Sequence, residues 1–175
     1  MTARKYMVLS AVGADRPGLV QKISALIQQG GGNLEDSRMA ILGGEFALIL
    51  LFSGDDTAIA AVQKEVEGSG DPLGLTMTLR PTQSAVSKEF LPYQLRVDGV
   101  DRPGIVSGVT AVLAAREINV AALESRVVCA PHSGTPMFSL KAELQLPSQI
   151  ALGTLRRALQ DYCDDENLDV SLEAG

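Results

Sequence analysis

The chain has 175 residues, of which 46% are hydrophobic and 21% charged, a balance that suits a packed globular core and excludes disordered and fibrous classes. Its formal net charge of −6 disfavours direct nucleic-acid binding, because that affinity comes largely from clustered lysine and arginine. The longest strongly apolar run, Phe46–Phe52, is far shorter than the roughly 20 residues of a membrane-spanning helix, and no secretory signal opens the sequence, so a cytoplasmic location is expected.

Hydrophobic periodicity divides the first half of the chain into six elements. Apolar runs predict strands, whereas apolar residues three and four apart after Pro17 predict a helix that the glycines at 30–32 end. Gly43 and Gly44 suit the positive φ angles of a tight hairpin, and one of the polar residues 55–57 is expected to cap the next helix. The expected elements are strand Tyr6–Val12, a helix after Pro17, strands Leu34–Leu42 and Glu45–Phe52, helix Ala58–Glu67 and strand Leu73–Leu79.

The second half of the chain repeats this order with a longer hairpin loop, Pro131–Pro136. Ser148 is expected to cap the last helix, because a serine side chain readily accepts a hydrogen bond from the first helical turn. The expected elements are strand Tyr93–Val100, a helix after Pro103, strands Val120–Ala130 and Met137–Leu146, helix Gln149–Tyr162 and strand Leu168–Leu172.

An internal repeat supports a duplicated unit. The motif Asp-Arg-Pro-Gly-Leu-Val starting at Asp15 recurs 86 residues later as Asp-Arg-Pro-Gly-Ile-Val starting at Asp101, and Asn33 corresponds to Asn119 at the same offset. The expected fold class is α+β, with two ferredoxin-like βαββαβ units, each a four-stranded antiparallel sheet with two helices on one face. The expected domains are residues 1–80 and 92–175, joined by a linker at 81–91.

The sheet face opposite the helices is expected to be buried against another protein surface. Phe46–Phe52 is apolar at successive positions, so its side chains would be apolar on both faces of a sheet. An apolar face left in water marks an interaction surface. Side-by-side units, dimers, or both are therefore expected.

The repeated strand-to-helix turn is the candidate binding site. Proline favours the first helical position, which makes Arg16 and Arg102 the expected N-caps. The amides of Gly18 and Leu19 have no partner within the helix and lie at the positive end of its dipole, where an anion is favoured. Asp15 could receive an ammonium group, so the turn suits both charges of an amino acid. The alternative is that these residues simply form a good turn without a ligand.

The repeated motif, the asparagine 18 residues after each aspartate and the βαββαβ order resemble ACT domains, and tandem pairs of this length resemble the glycine cleavage system transcriptional repressor family. The resemblance covers nearly the whole chain. It implies amino-acid binding at interfaces between ACT units, contacted by the turn and by the strand that the asparagine opens beside it. Carried onto this sequence, the implied ligand-binding residues are Asp15, Gly18, Leu19, Asn33, Asp101, Gly104, Ile105 and Asn119.

The sequence departs from serine-binding ACT domains at two positions of each turn. Those domains often have asparagine where this chain has Asp15 and Asp101, and histidine two residues earlier, where it has Gly13 and Gly99. An acid in place of an amide changes which ligand group the side chain can pair with. Serine is therefore not the expected ligand, and one or both copies could serve only in pairing.

The resemblance implies an amino-acid-responsive regulatory protein that is not an enzyme. Its effector would be a small amino acid such as glycine, its partner a transcription regulator, and its expected form a homodimer without direct contact to DNA or membrane. One alternative is a regulatory subunit, or a relative of the ACT portion of a metabolic enzyme such as formyltetrahydrofolate deformylase. The other alternative is an assembly module without a ligand.

The remaining reactive side chains indicate no catalytic or metal chemistry. His132 is the one histidine of the sequence, and it is expected in an exposed hairpin loop. Cys129 and Cys163 have no metal-ligand spacing, and each is expected to be a buried free thiol. No Walker or Rossmann glycine pattern precedes a helix, so no cofactor and no metal are expected.

Overall fold

The computed structural model describes residues 4–68, 73–83 and 90–175, and the chain divides into two compact units, residues 1–86 and 87–175. The first unit contains β1 (Lys5–Ala14), α1 (Leu19–Gln29), β2 (Asn33–Leu42), β3 (Glu45–Gly54), α2 (Asp56–Gly68) and β4 (Leu75–Thr82). The second contains β5 (Phe90–Val100), α3 (Ile105–Ala114), β6 (Asn119–Cys129), β7 (Pro136–Pro147), α4 (Leu152–Asp165) and β8 (Leu168–Ala174). The βαββαβ order expected for each half is confirmed.

Each unit contains one four-stranded antiparallel sheet. The strand orders are β2-β3-β1-β4 and β6-β7-β5-β8, so the first and third strands of each unit are central. Of the expected linker 81–91, residues 84–89 lie outside the described residues, while residues 81–82 belong to β4 and residues 90–91 to β5. None of the described helices is both long and apolar enough to cross a membrane.

The core of the first unit lies between its helices and one face of its sheet. Successive strand side chains point to opposite faces, and the buried residues of β1 and β3 alternate accordingly. Leu9 and Leu50 lie opposite each other in register and share one hydrophobic cluster with Ile23 of α1 and Val62 of α2. Both helices therefore cover the same sheet face, as expected.

The second unit is built in the same way. Leu95 of β5 and Ala142 of β7 lie opposite each other and share a hydrophobic cluster with Val109 of α3 and Leu159 of α4. Each helix contributes a stripe of buried residues at helical spacing, which is why these amphipathic segments form helices here. In each unit we call the sheet face opposite the helices the open face.

The expectation that the open face is apolar is correct for the first unit and wrong for the second. In the first, Val8, Val12 and Ile49 point to the open face, because their neighbours Leu9, Ala11 and Leu50 belong to the core on the other side. In the second, the open face of β5 and β7 presents Gln94, Arg96, Asp98, Ser139, Lys141 and Glu143. The apolar open face that the run Phe46–Phe52 predicted is therefore not repeated in the second unit.

The starts of the second helices differ from each other. Asp55 caps α2, since its Oδ1 accepts a hydrogen bond from the Ala58 amide at 2.8 Å, and this cap was expected. The expectation that Ser148 caps a helix from Gln149 is wrong. The Ile150 amide donates to the Pro147 carbonyl at 3.0 Å, so this segment forms a turn, and α4 begins only after Ala151, which offers no side-chain cap.

Candidate functional site

The turn between β1 and α1 ends in a glycine with a left-handed backbone. Gly18 has φ 92° and Gly104 has φ 99°, and each is the N-cap of the helix that follows. The expectation that Arg16 and Arg102 are the N-caps is therefore wrong. The positive φ angle interrupts the helical backbone at the glycine, so the helices begin at Leu19 and Ile105.

The first amides of α1 point out of the helix without a partner in it. The first helical hydrogen bond runs from the Lys22 amide to the Gly18 carbonyl at 3.0 Å, and the amides of residues 19–21 precede it. Within the described chain, no side chain caps this end and no acidic residue stands in its first turn. The second unit repeats the arrangement, with the Gly108 amide bonded to the Gly104 carbonyl at 2.9 Å. Both helix starts can thus donate to an anion.

A surface pocket of about 530 Å³ lies against this turn in the first unit. Three of the residues expected from the sequence contribute to it, namely Asp15, Gly18 and Leu19. Asp15 is exposed and lines this pocket together with the first residues of the helix start, so a cationic and an anionic group of one small molecule could be bound together. The other lining residues, which the sequence did not indicate, are Arg16, Val20, Gln21, Ser24, Met39 and Phe46.

The arginine of each motif stabilises the turn. Arg16 donates from Nη2 to the carbonyl of Leu73, in the segment before β4. Arg102 donates from Nη2 to the carbonyl of Glu166 and forms an ion pair with the Glu166 carboxylate, in the segment before β8. Each arginine therefore joins the start of the first helix to the last strand of its unit. Nothing in the local sequence signals these partners, because they lie 57 and 64 residues away.

The glycine two residues before each aspartate is required by close packing. A Cβ atom at Gly13 would lie 2.4 Å from the Gly74 carbonyl oxygen, and one at Gly99 would lie 2.5 Å from the Cδ2 atom of Leu168. Contacts below 3.0 Å force a neighbour to move. At the position where serine-binding ACT domains often have histidine, a side chain would thus displace backbone in the first unit and the Leu168 side chain in the second.

The structure does not place Asn33 and Asn119 beside the turn of their own unit, contrary to the expectation from the sequence. Asn33 lies opposite Ser53 of β3, and on the other side of β3 Ser53 lies opposite Tyr6, at the start of β1. The turn follows the other end of β1, about eight residues or roughly 26 Å away. The Asn33 side chain donates to Glu35 Oε1 at 3.1 Å, and that of Asn119 donates to Gln145 Oε1 at 2.6 Å.

A polar cluster surrounds Glu35 at this far end of the first sheet. Glu35 stands at a β-bulge between Leu34 and Asp36, and its Oε1 atom accepts a hydrogen bond from the buried Ser53 hydroxyl at 2.5 Å. The hydrogen bonds from Ser53 and then Asn33 hold the pKa of the Glu35 carboxyl below its ordinary value, against the opposing effect of desolvation. The corresponding bulge of the second unit lies between Val120 and Ala122 and has no carboxylate.

The other reactive residues lie apart from the turns. His132 is exposed in the hairpin loop, as expected. Cys163 is buried, and burial raises the pKa of its thiol to about 11, so it is protonated at neutral pH. The expectation that Cys129 is buried is wrong, because this residue ends β6 at an exposed sheet edge. The described residues contain no group of three or more His, Cys, Asp or Glu side chains that could hold a metal.

Comparison with known proteins gives one consistent assignment. ACT-domain family models match residues 5–80 and residues 93–159. The glycine cleavage system transcriptional repressor of Escherichia coli (strain K12) is 30% identical over 174 residues, which cover 98% of this chain and 91% of that protein.

Two solved structures have the same fold along their whole length. The crystal structure of an unknown protein from Galdieria sulphuraria has 31% sequence identity and a TM-score of 0.82, with 99% of both chains covered. A crystal structure provisionally assigned as a glycine cleavage system transcriptional repressor has 26% identity and a TM-score of 0.75, with 98% of both chains covered. The chain therefore belongs to the family of tandem ACT-domain proteins that includes the glycine cleavage system transcriptional repressor.

Proposed function

We propose that this chain is a cytoplasmic, amino-acid-responsive regulatory protein that controls transcription indirectly, by binding a transcription regulator. The observation that carries the proposal is the relationship to a transcriptional repressor along 98% of the chain, through both units. The net charge of −6 supports indirect control, because a surface with this charge repels the DNA backbone. On this proposal the chain is a homodimer and has no catalytic activity of its own.

The effector we propose is a small amino acid such as glycine, bound at the turn. Its carboxylate would accept hydrogen bonds from the amides of Gly18 and Leu19, and its ammonium group would pair with Asp15. Gly104, Ile105 and Asp101 offer the same groups in the second unit. Asn33 and Asn119 lie too far from the turn of their own unit to touch the same molecule, so their participation would require the turn of another ACT unit.

Effector binding regulates only if the two functional states bind the effector differently. An effector with equal affinity for both states leaves their populations unchanged, however tightly it binds. A difference of about 1 to 3 kcal/mol, which is typical of allosteric coupling, is enough for graded control.

Thermal unfolding with each of the twenty amino acids at millimolar concentration tests the effector. An amino acid present at about ten times its Kd stabilises the folded state by about 1.4 kcal/mol, which raises the Tm of a small domain by several degrees. We expect glycine or a similarly small amino acid to do so, and the shift to fall in the Asp15→Ala or Asp101→Ala variant. Asp161→Ala, which removes an exposed carboxylate on α4, is the matched control. If none of the twenty raised the Tm, the effector proposal would be wrong.

Affinity capture with the purified chain tests the regulatory role. We expect a transcription regulator to be retained, in an amount that changes with the effector, and the chain alone not to shift DNA in a gel. Recovery of a metabolic enzyme in place of a regulator would favour the regulatory-subunit alternative. Recovery of neither, together with no amino-acid effect on the Tm, would favour the assembly alternative.

A further inference from the structure

The open face of the first sheet is apolar at three of the four central positions where the second is charged, and a serine occupies the fourth. Six residues occupy the centre of each open face, three on the first strand of the unit and three on the third. In the first unit they are Val8, Ser10, Val12, Ala47, Ile49 and Leu51, which pair in register as Val8 with Leu51, Ser10 with Ile49, and Val12 with Ala47. In the second they are, in the same order, Gln94, Arg96, Asp98, Ser139, Lys141 and Glu143.

The apolar centre is open to solvent and has few polar groups to satisfy. Val12 is 50% exposed and Ile49 is 52% exposed. The hydroxyl group of Ser10 is already hydrogen-bonded to Thr78 Oγ1 at 2.6 Å, so it can be covered without losing its partner. Burying such a surface is favourable in proportion to its apolar area.

Two of the four central charges of the second open face, Arg96 and Asp98, are already paired within the sheet. Arg96 donates from Nε to Asp98 Oδ2 at 2.8 Å. Burial raises the pKa of Asp98, but hydrogen bonds with Ser139 and then Arg96 outweigh it and hold the pKa below its ordinary value. Covering this face with an apolar surface would remove water from charged groups without new partners, which is costly.

One row across the first open face ends in opposite charges on its two edges. Asp36 of β2 and Arg80 of β4 lie in one row across the sheet, connected in register through Leu51 and Val8. Asp36 also pairs with Arg38 at 2.5 Å on the same edge. When two copies of a sheet pack face to face about a two-fold axis parallel to the strands, the left edge of one lies over the right edge of the other. The axis therefore places Asp36 of each copy over Arg80 of its partner, twice per dimer.

We infer that the open face of the first unit is the contact surface between two copies of this chain, which pack by their identical faces about a two-fold axis parallel to the strands. The apolar centre complements itself, and both edges of the contact gain opposite charges. This inference rests on the homodimer of the proposed function and adds which surface makes it. It does not depend on the effector or on the transcription regulator.

The size of the surface suits such a contact. Four strands spaced about 4.8 Å apart, with a rise of about 3.3 Å per residue, give a face of roughly 600 Å² in projection. Two such faces would bury on the order of 1,200 Å², the lower limit of stable protein interfaces. The face is therefore large enough for a specific dimer.

The test is the molar mass of the purified full chain, measured by light scattering across a concentration series without amino acids. Wild-type protein should approach twice the chain mass of 18.5 kDa as concentration rises. Ile49→Lys should weaken the dimer at least about a hundredfold, because an ammonium group would be buried without a partner. The fold accommodates lysine at this position, since Lys141 occupies it in the second unit. Lys141→Glu, on the other open face, is the matched control and should dimerise like wild type.

Charge exchange tests the axis. Arg80→Asp should weaken the dimer by placing two carboxylates together. A triple variant, Asp36→Arg, Arg38→Asp and Arg80→Asp, should restore it, because it reverses the charges and keeps the pair between residues 36 and 38. Failure of the triple variant to recover would overturn the assigned axis. A dimer that persists in Ile49→Lys would overturn the surface while leaving the homodimer intact. A wild-type chain that stays monomeric up to about 100 μM would overturn both, and circular dichroism verifies that each variant is folded.

Discussion

The two units preserve the strand-to-helix turn and diverge on the open face. Both turns have a glycine N-cap with positive φ and an arginine that donates to the backbone before the last strand. The centres of the open faces differ in chemistry, since Ile49 of the first unit corresponds to Lys141 of the second. A duplicated domain can therefore keep the turn that fixes its backbone while its two sheet faces diverge. One copy then has an apolar face suited to association, and the other has a charged face suited to contact with water.

The largest expected effect on stability comes from the two hydrophobic cores. They are built in the same way, and each belongs to one unit. Leu9→Ala and Leu95→Ala remove matching, fully buried side chains, and each should destabilise its unit by about 2 to 5 kcal/mol. Hydrogen exchange followed by mass spectrometry should show faster exchange in the altered unit alone. Lys22→Ala, at an exposed position of α1, is the control. Loss of protection in both units after either change would show that they unfold together.

The next largest effect is the loss of stability on substituting the two closely packed glycines, Gly13 and Gly99. Gly13→Ala would press a methyl group against a backbone oxygen, whereas Gly99→Ala would press it against the end of a leucine side chain, which can rotate away. We expect a cost of about 2 to 3 kcal/mol for Gly13→Ala and about 1 to 2 kcal/mol for Gly99→Ala, within the usual range for overpacking. Chemical denaturation measures both. Equal costs, or the reverse order, would contradict this account of the packing.

A smaller effect concerns the helix starts, where α2 has a side-chain cap and α4 has none. Asp55→Ala should destabilise the first unit by about 1 kcal/mol, and Ala151→Asp should stabilise the second by up to about 1 kcal/mol. The first change removes the side-chain cap of α2, and the second adds one to α4. Thermal unfolding of the single variants is the measurement, and a destabilised Ala151→Asp variant would show that the Ala151 backbone does not suit a cap.

The smallest effect is a pH dependence that only the first bulge should have. The folded-state pKa of Glu35 is lowered, so the stability that its carboxylate contributes is present above the unfolded pKa and is lost as the pH falls through the folded pKa. Glu35→Gln should therefore reduce the loss of protection in the first unit between pH 5 and pH 3.

The readout for Glu35 has to resolve the two units. Asp98 also has a lowered pKa and gives the second unit an acid-sensitive contribution of its own. Hydrogen exchange at several pH values separates the two contributions, and Asp98→Asn should change the second unit alone. An identical acid response of the first unit in wild type and Glu35→Gln would contradict the prediction.

Local patterns in the sequence predicted most of the fold. The repeated motif and the apolar periodicity around Leu9, Ile23 and Leu50 depend on neighbours a few residues away, and such patterns determine helices and strands directly. The start of α1 was predicted two residues too early, because the backbone angle of Gly18 cannot be read from residue type. The start of α4 was wrong because Pro147 and Ile150 form a turn that competes with the cap.

The candidate site was predicted in part. Asp15, Gly18 and Leu19 line the pocket, since they follow one another in the motif. Asn33 was misplaced, although a signal was available. An α1 of 11 residues carries the chain about 16 Å back along the sheet, so β2 has to begin at the end remote from the turn. By the same reasoning the hairpin after β2 returns to the turn, where the Asp15 amide donates to the Gly44 carbonyl at 2.9 Å.

The crowding at Gly13 and Gly99 also limits how these turns can evolve. A lineage that exchanged Gly13 for a larger residue would first have to move the backbone before β4, and one that exchanged Gly99 would have to move the Leu168 side chain. New selectivity is more accessible at Asp15, Val20 and Met39, whose side chains are exposed around the pocket. Natural variation in ligand preference among relatives that retain the glycine should therefore concentrate at these three positions.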